Sequence, residues 1–139
     1  MNRTDYALLF LRVGFGLFFI VFGVLKFVAS GPMTGAVYPG FWGGLAVPVL
    51  IFILGGVQIL LGIFLILGLF TTPSAIVATL MHLGTFIVTL PRIVTPFTFP
   101  EAGPPHFLFF SGVPILLALA ALVLLGGGSM SLDARRKGP

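Results

Sequence analysis

Between Lys26 and Arg92 the chain carries no Asp, Glu, Lys or Arg. A fold that faces water needs charged residues to cover it, and soluble domains average about 25% of them. Here 7% of the 139 residues are charged and 58% are hydrophobic. That supply excludes a soluble globular domain, a disordered chain and a nucleic-acid binder built on a basic face. The formal charge of +4 rests on only seven Lys and Arg, too few to define a basic surface. With no Cys, disulfides, thiolate nucleophiles, Fe–S ligation and Cys zinc sites are excluded together. The chain reads as an integral membrane protein, one domain over residues 1–139.

A helix crosses a hydrocarbon core ~30 Å thick with about 20 apolar residues. Four stretches are predicted to do so. The first covers about 6–28 and is interrupted by Arg12 and Lys26; the second, 45–70, has no charge. The third covers 74–90, with Arg92 just beyond it able to snorkel, and the fourth 107–125. The predicted fold class is therefore all-α, a four-helix transmembrane bundle. Ser30-Gly31-Pro32 ends the first span, and Phe41 and Trp42 after it suit a membrane–water interface. Thr72 is expected to cap a helix whose first residue is Pro73. Prolines 91, 96, 100, 104 and 105 argue against regular helix and mark an outer loop over 91–106, with Phe97 and Phe99 at the interface. The tail over 126–139, glycine-rich and then basic, is expected to be mobile.

An even number of spans places both termini on one side. Arg3, Arg135, Arg136 and Lys137 share that side, against Lys26 and Arg92 opposite. The positive-inside rule then puts both termini in the cytoplasm, in a multi-pass protein of the cell membrane. A cleaved signal peptide ending near Val28-Ala29-Ser30 is the rival reading of the first helix, but its apolar region is too long. The two halves show no internal repeat.

Lipid gives helices no hydrophobic incentive to associate, so small and polar residues mark the packed faces. In the first span Arg12, Gly16, Phe19, Gly23 and Lys26 form one stripe at alternating spacings of four and three. Gly55, Gln58 and Gly62 form a second, with Gly56 beside it; Ala75, Ala78, His82, Thr85 and Thr89 form a third. The fourth span offers Ala118 and Ala121, and Pro114 to bend it. At a rise of ~1.5 Å per residue, Arg12, His82 and Gln58 fall within one or two turns of each other in height. They are expected to form a polar cluster in an otherwise apolar interior, the candidate contacts for a quinone or pigment.

Each of these residues has a bland and a functional reading. A charge in a span costs at least ~2.5 kcal/mol on insertion scales, so Arg12 needs a reason to be there. It can snorkel and meet Asp5, or donate to a ligand oxygen. His82 can bond a Thr or a backbone carbonyl; it can equally bond a quinone carbonyl, shuttle a proton, or ligate chlorophyll or haem. Gln58 between glycines reads as packing glue, Lys26 as a snorkel to the outer headgroups, and His106 as interfacial. No acid lies within a span, so no internal ion pair is expected. Metal catalysis lacks ligands, a Ser–His–acid triad lacks its acid, and a proton or ion path lacks carboxylates. The glycines follow neither a phosphate-loop nor a dinucleotide pattern. No catalytic or metal residue is nominated, and the chain is not expected to be a complete enzyme.

The run Leu11-Arg12-Val13-Gly14-Phe15-Gly16-Leu17-Phe18-Phe19-Ile20-Val21-Phe22-Gly23-Val24-Leu25-Lys26-Phe27 resembles the first helix of the DoxX family. That family shows Arg, Gly four residues on, then Gly and Lys near the helix end. Gly55-Gly56-Val57-Gln58, Gly62 and Gly68-Leu69-Phe70-Thr71 resemble its second helix and turn, so the likeness covers roughly residues 7–90. The resemblance implies a four-helix bundle in the cytoplasmic membrane. Some relatives are subunits of a thiosulfate:quinone oxidoreductase, and many have no assigned activity. Arg12, Gly16, Gly23, Lys26, Gly62 and Gly68 match the pattern. Gln58 stands where the family often has an acid, which removes the expected partner of Arg12.

The leading expectation is a non-catalytic accessory subunit of a larger membrane electron-transfer complex, respiratory or photosynthetic. Its partners are then lipids and larger subunits, with no nucleic acid. The alternative is a quinone-reactive subunit in which Arg12 and His82 hold the headgroup. Axial ligation of chlorophyll or haem by His82 ranks third, and solute transport last, for want of polar lining.

Overall fold

The computed structural model describes residues 2–29, 47–94 and 112–136. Five helices occupy them: α1 (Arg3–Val28), α2 (Pro48–Leu67), α3 (Thr71–Val94), α4 (Gly112–Leu125) and the short α5 (Leu132–Arg136). No strand occurs among these residues. Both α1 and α2 are long and apolar enough to cross a membrane. Side chains such as Phe10, Ile53, Leu80, Leu117 and Leu124 stand exposed on the outer faces. An interior with little apolar preference over its exterior is the arrangement lipid allows. The fold is an all-α membrane bundle.

Glycine sets how the helices meet. A Cβ added to Gly16 would lie 2.7 Å from the Gly62 carbonyl oxygen, and one added to Gly62 would lie 2.5 Å from that of Gly16. Gly23 and Gly55 repeat the reciprocity one heptad away, at 2.7 and 3.1 Å. The two backbones thus touch at two levels, and the pairing runs antiparallel. The whole stripe read from the sequence of α1 (Arg12, Gly16, Phe19, Gly23 and Lys26) is buried, together with Leu8. Gly56 lies outside the contact, with open space where its Cβ would be.

α3 packs on α4 and on α2, and α1 also touches α4. The buried face of α4 is Gly112, Leu119 and Leu122, one position round from the expected Ala118 and Ala121, which are only half-buried. The reason is complementary size. Ala75 and Ala78 of α3 are fully buried and join Leu119 and Leu122 in one core cluster with Leu8, Phe19 and Leu65. Small residues on one helix leave room for large ones on its neighbour, so α4 presents its leucines.

Two boundaries depart from expectation. α3 begins at Thr71 rather than at Ser74, so Thr72 does not cap it; Pro73 sits in the first turn, where a missing N–H leaves no bond unmade. The helix also continues through Pro91 to Val94. A proline that close to a helix end costs the one bond to the carbonyl four residues back and leaves the remaining turns intact. The readings made for Phe41, Trp42, Phe97, Phe99, His106 and Lys137, and for the side chains of Thr89 and Arg92, lie outside the described residues.

The tail is not a loose end. Gly126 and Gly128 adopt left-handed backbone (φ 70° and 69°) and turn the chain back beneath α1 and α3. Ser131, 1% exposed, donates its hydroxyl to the Gly128 carbonyl at 2.7 Å and accepts from the Ala134 N–H at 3.1 Å. The mobile tail expected from composition is, from Gly126 to Arg136, an ordered hook. Glycine there supplies positive φ rather than freedom.

Candidate functional site

The buried polar residues fall into three groups at different heights, not into one cluster. At the end of the bundle where α1 begins and α5 lies, Arg12 is 1% exposed. Its guanidinium lies over Gly68, where a Cβ would collide with Nη1 and where φ is 67°. Only glycine satisfies both demands. Gly68 ends α2 in the left-handed conformation, and Phe70 follows with φ 49°. The Phe70 and Thr71 amides, which open α3, donate to the two carboxylate oxygens of Asp133 at 2.8 and 2.7 Å. Asp133 returns its own N–H to the Gly68 carbonyl at 2.9 Å. The same carboxylate is the charge that acts favourably on Arg12. One acid therefore caps a 24-residue helix and compensates a buried cation.

Asp5 does parallel work beside it. Its carboxylate accepts the Asn2 N–H at 3.0 Å in the first turn of α1 and the Ser129 N–H at 3.1 Å from the hook. Those backbone donors, Asn2 first and then Ser129, hold the Asp5 carboxyl down to about 2. Of the two readings of Arg12, a snorkel toward Asp5 or a donor to a ligand oxygen, neither names Asp133, whose charge is the one that acts on it. The missed partner lies over a hundred residues away in the chain, in a segment whose composition suggested mobility.

Lys26 forms the second group. Rather than snorkelling outward it is 2% exposed, and Nζ donates to Gln58 Oε1 at 2.6 Å and to the Phe22 carbonyl at 3.1 Å. Fourteen residues separate it from Arg12, about 21 Å along the axis at the helical rise. Gln58 thus belongs to Lys26 and not to Arg12, because α1 and α2 run antiparallel and Gln58 lies on the far side of the Gly16–Gly62 contact. The Gln58→Leu substitution removes one acceptor from a buried ammonium and is expected to cost about 1.5 kcal/mol, the usual worth of a hydrogen bond to a charge. The double substitution of Lys26→Met with Gln58→Leu should restore most of that loss, since two apolar groups need no partner. Thermal unfolding in detergent checks both; equal losses in the single and double variants would deny the coupling.

His82 is the third group, half-buried on α3 and level with the middle of α1. Its ring meets Phe18 edge-on at 6.3 Å, and the backbone of Gly112 at the start of α4 is a hydrogen-bonding partner. Nε2 is buried and meets no hydrogen-bond partner among the described residues. Thr85, on the same expected stripe, is exposed and bonds the Met81 carbonyl. Of the candidate ligand contacts Arg12, His82 and Gln58, no two are brought into contact. No group of three or more metal-ligating side chains occurs among the described residues.

A bundle with buried cations, glycine-paired helices and an apolar exterior defines a polytopic helical membrane protein. The DoxX family profile matches residues 7–91, more than half the chain, and the chain belongs to the DoxX family. It is similar to the Inner membrane protein YphA of Escherichia coli (strain K12), 31% identical over 129 residues. That alignment covers 92% of this chain and 89% of the relative. No solved structure matches it significantly.

Proposed function

We infer that this chain is a non-catalytic subunit of a larger electron-transfer complex in the cytoplasmic membrane, respiratory or photosynthetic, with both termini in the cytoplasm. The observation that carries the reading is what the two buried cations do. Lys26 is bonded to Gln58 and Phe22, and Arg12 is compensated by Asp133. Both hold the chain to itself. The resemblance to family members that serve a thiosulfate:quinone oxidoreductase supports the electron-transfer setting, and the basic residues at the shared end support the orientation. Extraction into mild detergent is expected to bring larger redox subunits down with a tagged copy of this chain. A lone, monodisperse bundle from cells grown under several electron acceptors would overturn the reading.

One observation favours a second role, as a quinone-reactive subunit. With the ring donating from Nδ1 to the Gly112 backbone, the unpartnered Nε2 of His82 is an acceptor and fits a quinol hydroxyl, whereas Arg12 lies in a separate group of residues. A bound quinone would supply a two-electron acceptor; His82 would accept a hydrogen bond from the hydroxyl of its reduced form. His82→Leu should then abolish quinone co-extraction with the purified protein while leaving its helical signal intact, and an unchanged quinone content would end this role.

A further inference from the structure

We propose that the turn from Gly68 to Thr71 is an anion site suited to a phosphate group, which the Asp133 carboxylate fills from within until such an anion displaces the tail. The backbone is shaped for it. Left-handed φ at Gly68 and Phe70 curls the chain so that the Phe70 and Thr71 amides face one point, at 2.8 and 2.7 Å from the carboxylate. Successive N–H groups in such a curl, at the positive end of a long helix, make an anion concavity.

The helix end does not carry the inference alone. Arg12, 1% exposed, borders the same turn, and its Nε and Nη1 meet no acceptor among the described residues. The Thr71 hydroxyl is likewise buried without a partner. A carboxylate brings two oxygens, and each already accepts a backbone N–H. A phosphate brings one or two more oxygens and up to twice the charge, which matches the donors the carboxylate leaves unspent. The surface around the turn favours arrival. Arg3, Arg135 and Arg136 are exposed at this end, and Arg136 lies over the Phe70 ring at 5.8 Å.

The plug is also able to leave. The hook is tied to the bundle by polar bonds, Ser129 to Asp5 and Asp133 to Gly68 among them, and α5 contributes no fully buried residue. Lifting it exposes the turn and, of the core cluster, uncovers Leu8, which lies against Gly128. A lipid headgroup phosphate and free inorganic phosphate share the required chemistry.

The test uses the full chain in nanodiscs of phosphatidylcholine, read by amide hydrogen exchange over residues 129–136. Three additions are compared: potassium chloride, inorganic phosphate at equal ionic strength, and phosphatidate within the disc. Exchange at Asp133, Ala134 and Arg135 is expected to rise about tenfold when the plug lifts, and the arm that responds identifies the source. Thr71→Val, which deletes one donor and little volume, should weaken that response several-fold. Asp133→Asn should lower the anion concentration needed by about tenfold, because the competing charge is gone. An equal response to chloride, or none to either phosphate source in the wild type and in Asp133→Asn, overturns the proposal.

Discussion

Replacing Asp133 by Ala is expected to cost about 3 kcal/mol of stability, a large fraction of a small domain's total. The size follows from what the carboxylate does twice. Losing it leaves the Phe70 and Thr71 amides without their acceptor, a lost cap worth about 1 kcal/mol. It also takes away the nearby charge that favours the Arg12 cation, which is 1% exposed, and a buried charge left uncompensated costs several times what a surface pair is worth. Asp5→Ala is the comparison. Its carboxylate also joins the hook to a helix start, but it faces no buried cation, so a clearly smaller loss is expected. Adding Arg12→Met to Asp133→Ala should recover much of the larger loss, because the orphaned charge is then gone. Denaturant or thermal titration of the purified protein in detergent measures all three. A value for Asp133→Ala no larger than that of Asp5→Ala would show that Arg12 does not depend on the tail.

What the sequence could disclose follows from the range of each force. Helix α1 was legible residue by residue, because a stripe of Arg12, Gly16, Phe19, Gly23 and Lys26 expresses a local period and lipid penalises any other exposure of it. Membrane residence was legible from the absence of charge alone. The face of α4 was not, since Ala118 and Leu119 differ only in which neighbour awaits them, and that neighbour, Ala75 and Ala78, is set by tertiary packing. The polar residues were misassigned for a related reason. Height along a helix can be counted, but pairing depends on which helix runs beside which and in what direction. Gln58 reaches Lys26 because α1 and α2 are antiparallel neighbours through their glycines. Asp133 lies outside every span, in a segment whose glycines read as flexible, whereas here each left-handed glycine fixes a turn that brings its charge to bear on Arg12.

The glycine contacts yield the second large effect, with a built-in control six residues away. Gly62→Leu is expected to cost about 3 kcal/mol, at the upper end for overpacking. The added Cβ alone would stand 2.5 Å from the Gly16 carbonyl oxygen, 2.6 Å from Ile20 Cγ1 and 3.1 Å from the Ile20 nitrogen. Two of those three atoms are backbone, so no rotamer change relieves the clash and α1 must move away from α2. Separation there also lengthens the reach from Lys26 to Gln58, which now closes at 2.6 Å, so the loss spreads to the far end of the pair. Gly56→Leu makes the same chemical change on the same helix, where nothing lies within 4 Å of the new Cβ. It should stay within about 0.5 kcal/mol of the wild type or gain slightly from the better helix former. Parallel unfolding curves for the two variants decide the matter. Equal losses would mean that α1 and α2 do not meet backbone to backbone, and an unchanged Gly62→Leu would remove the glycine pairing from the account of how this bundle is held.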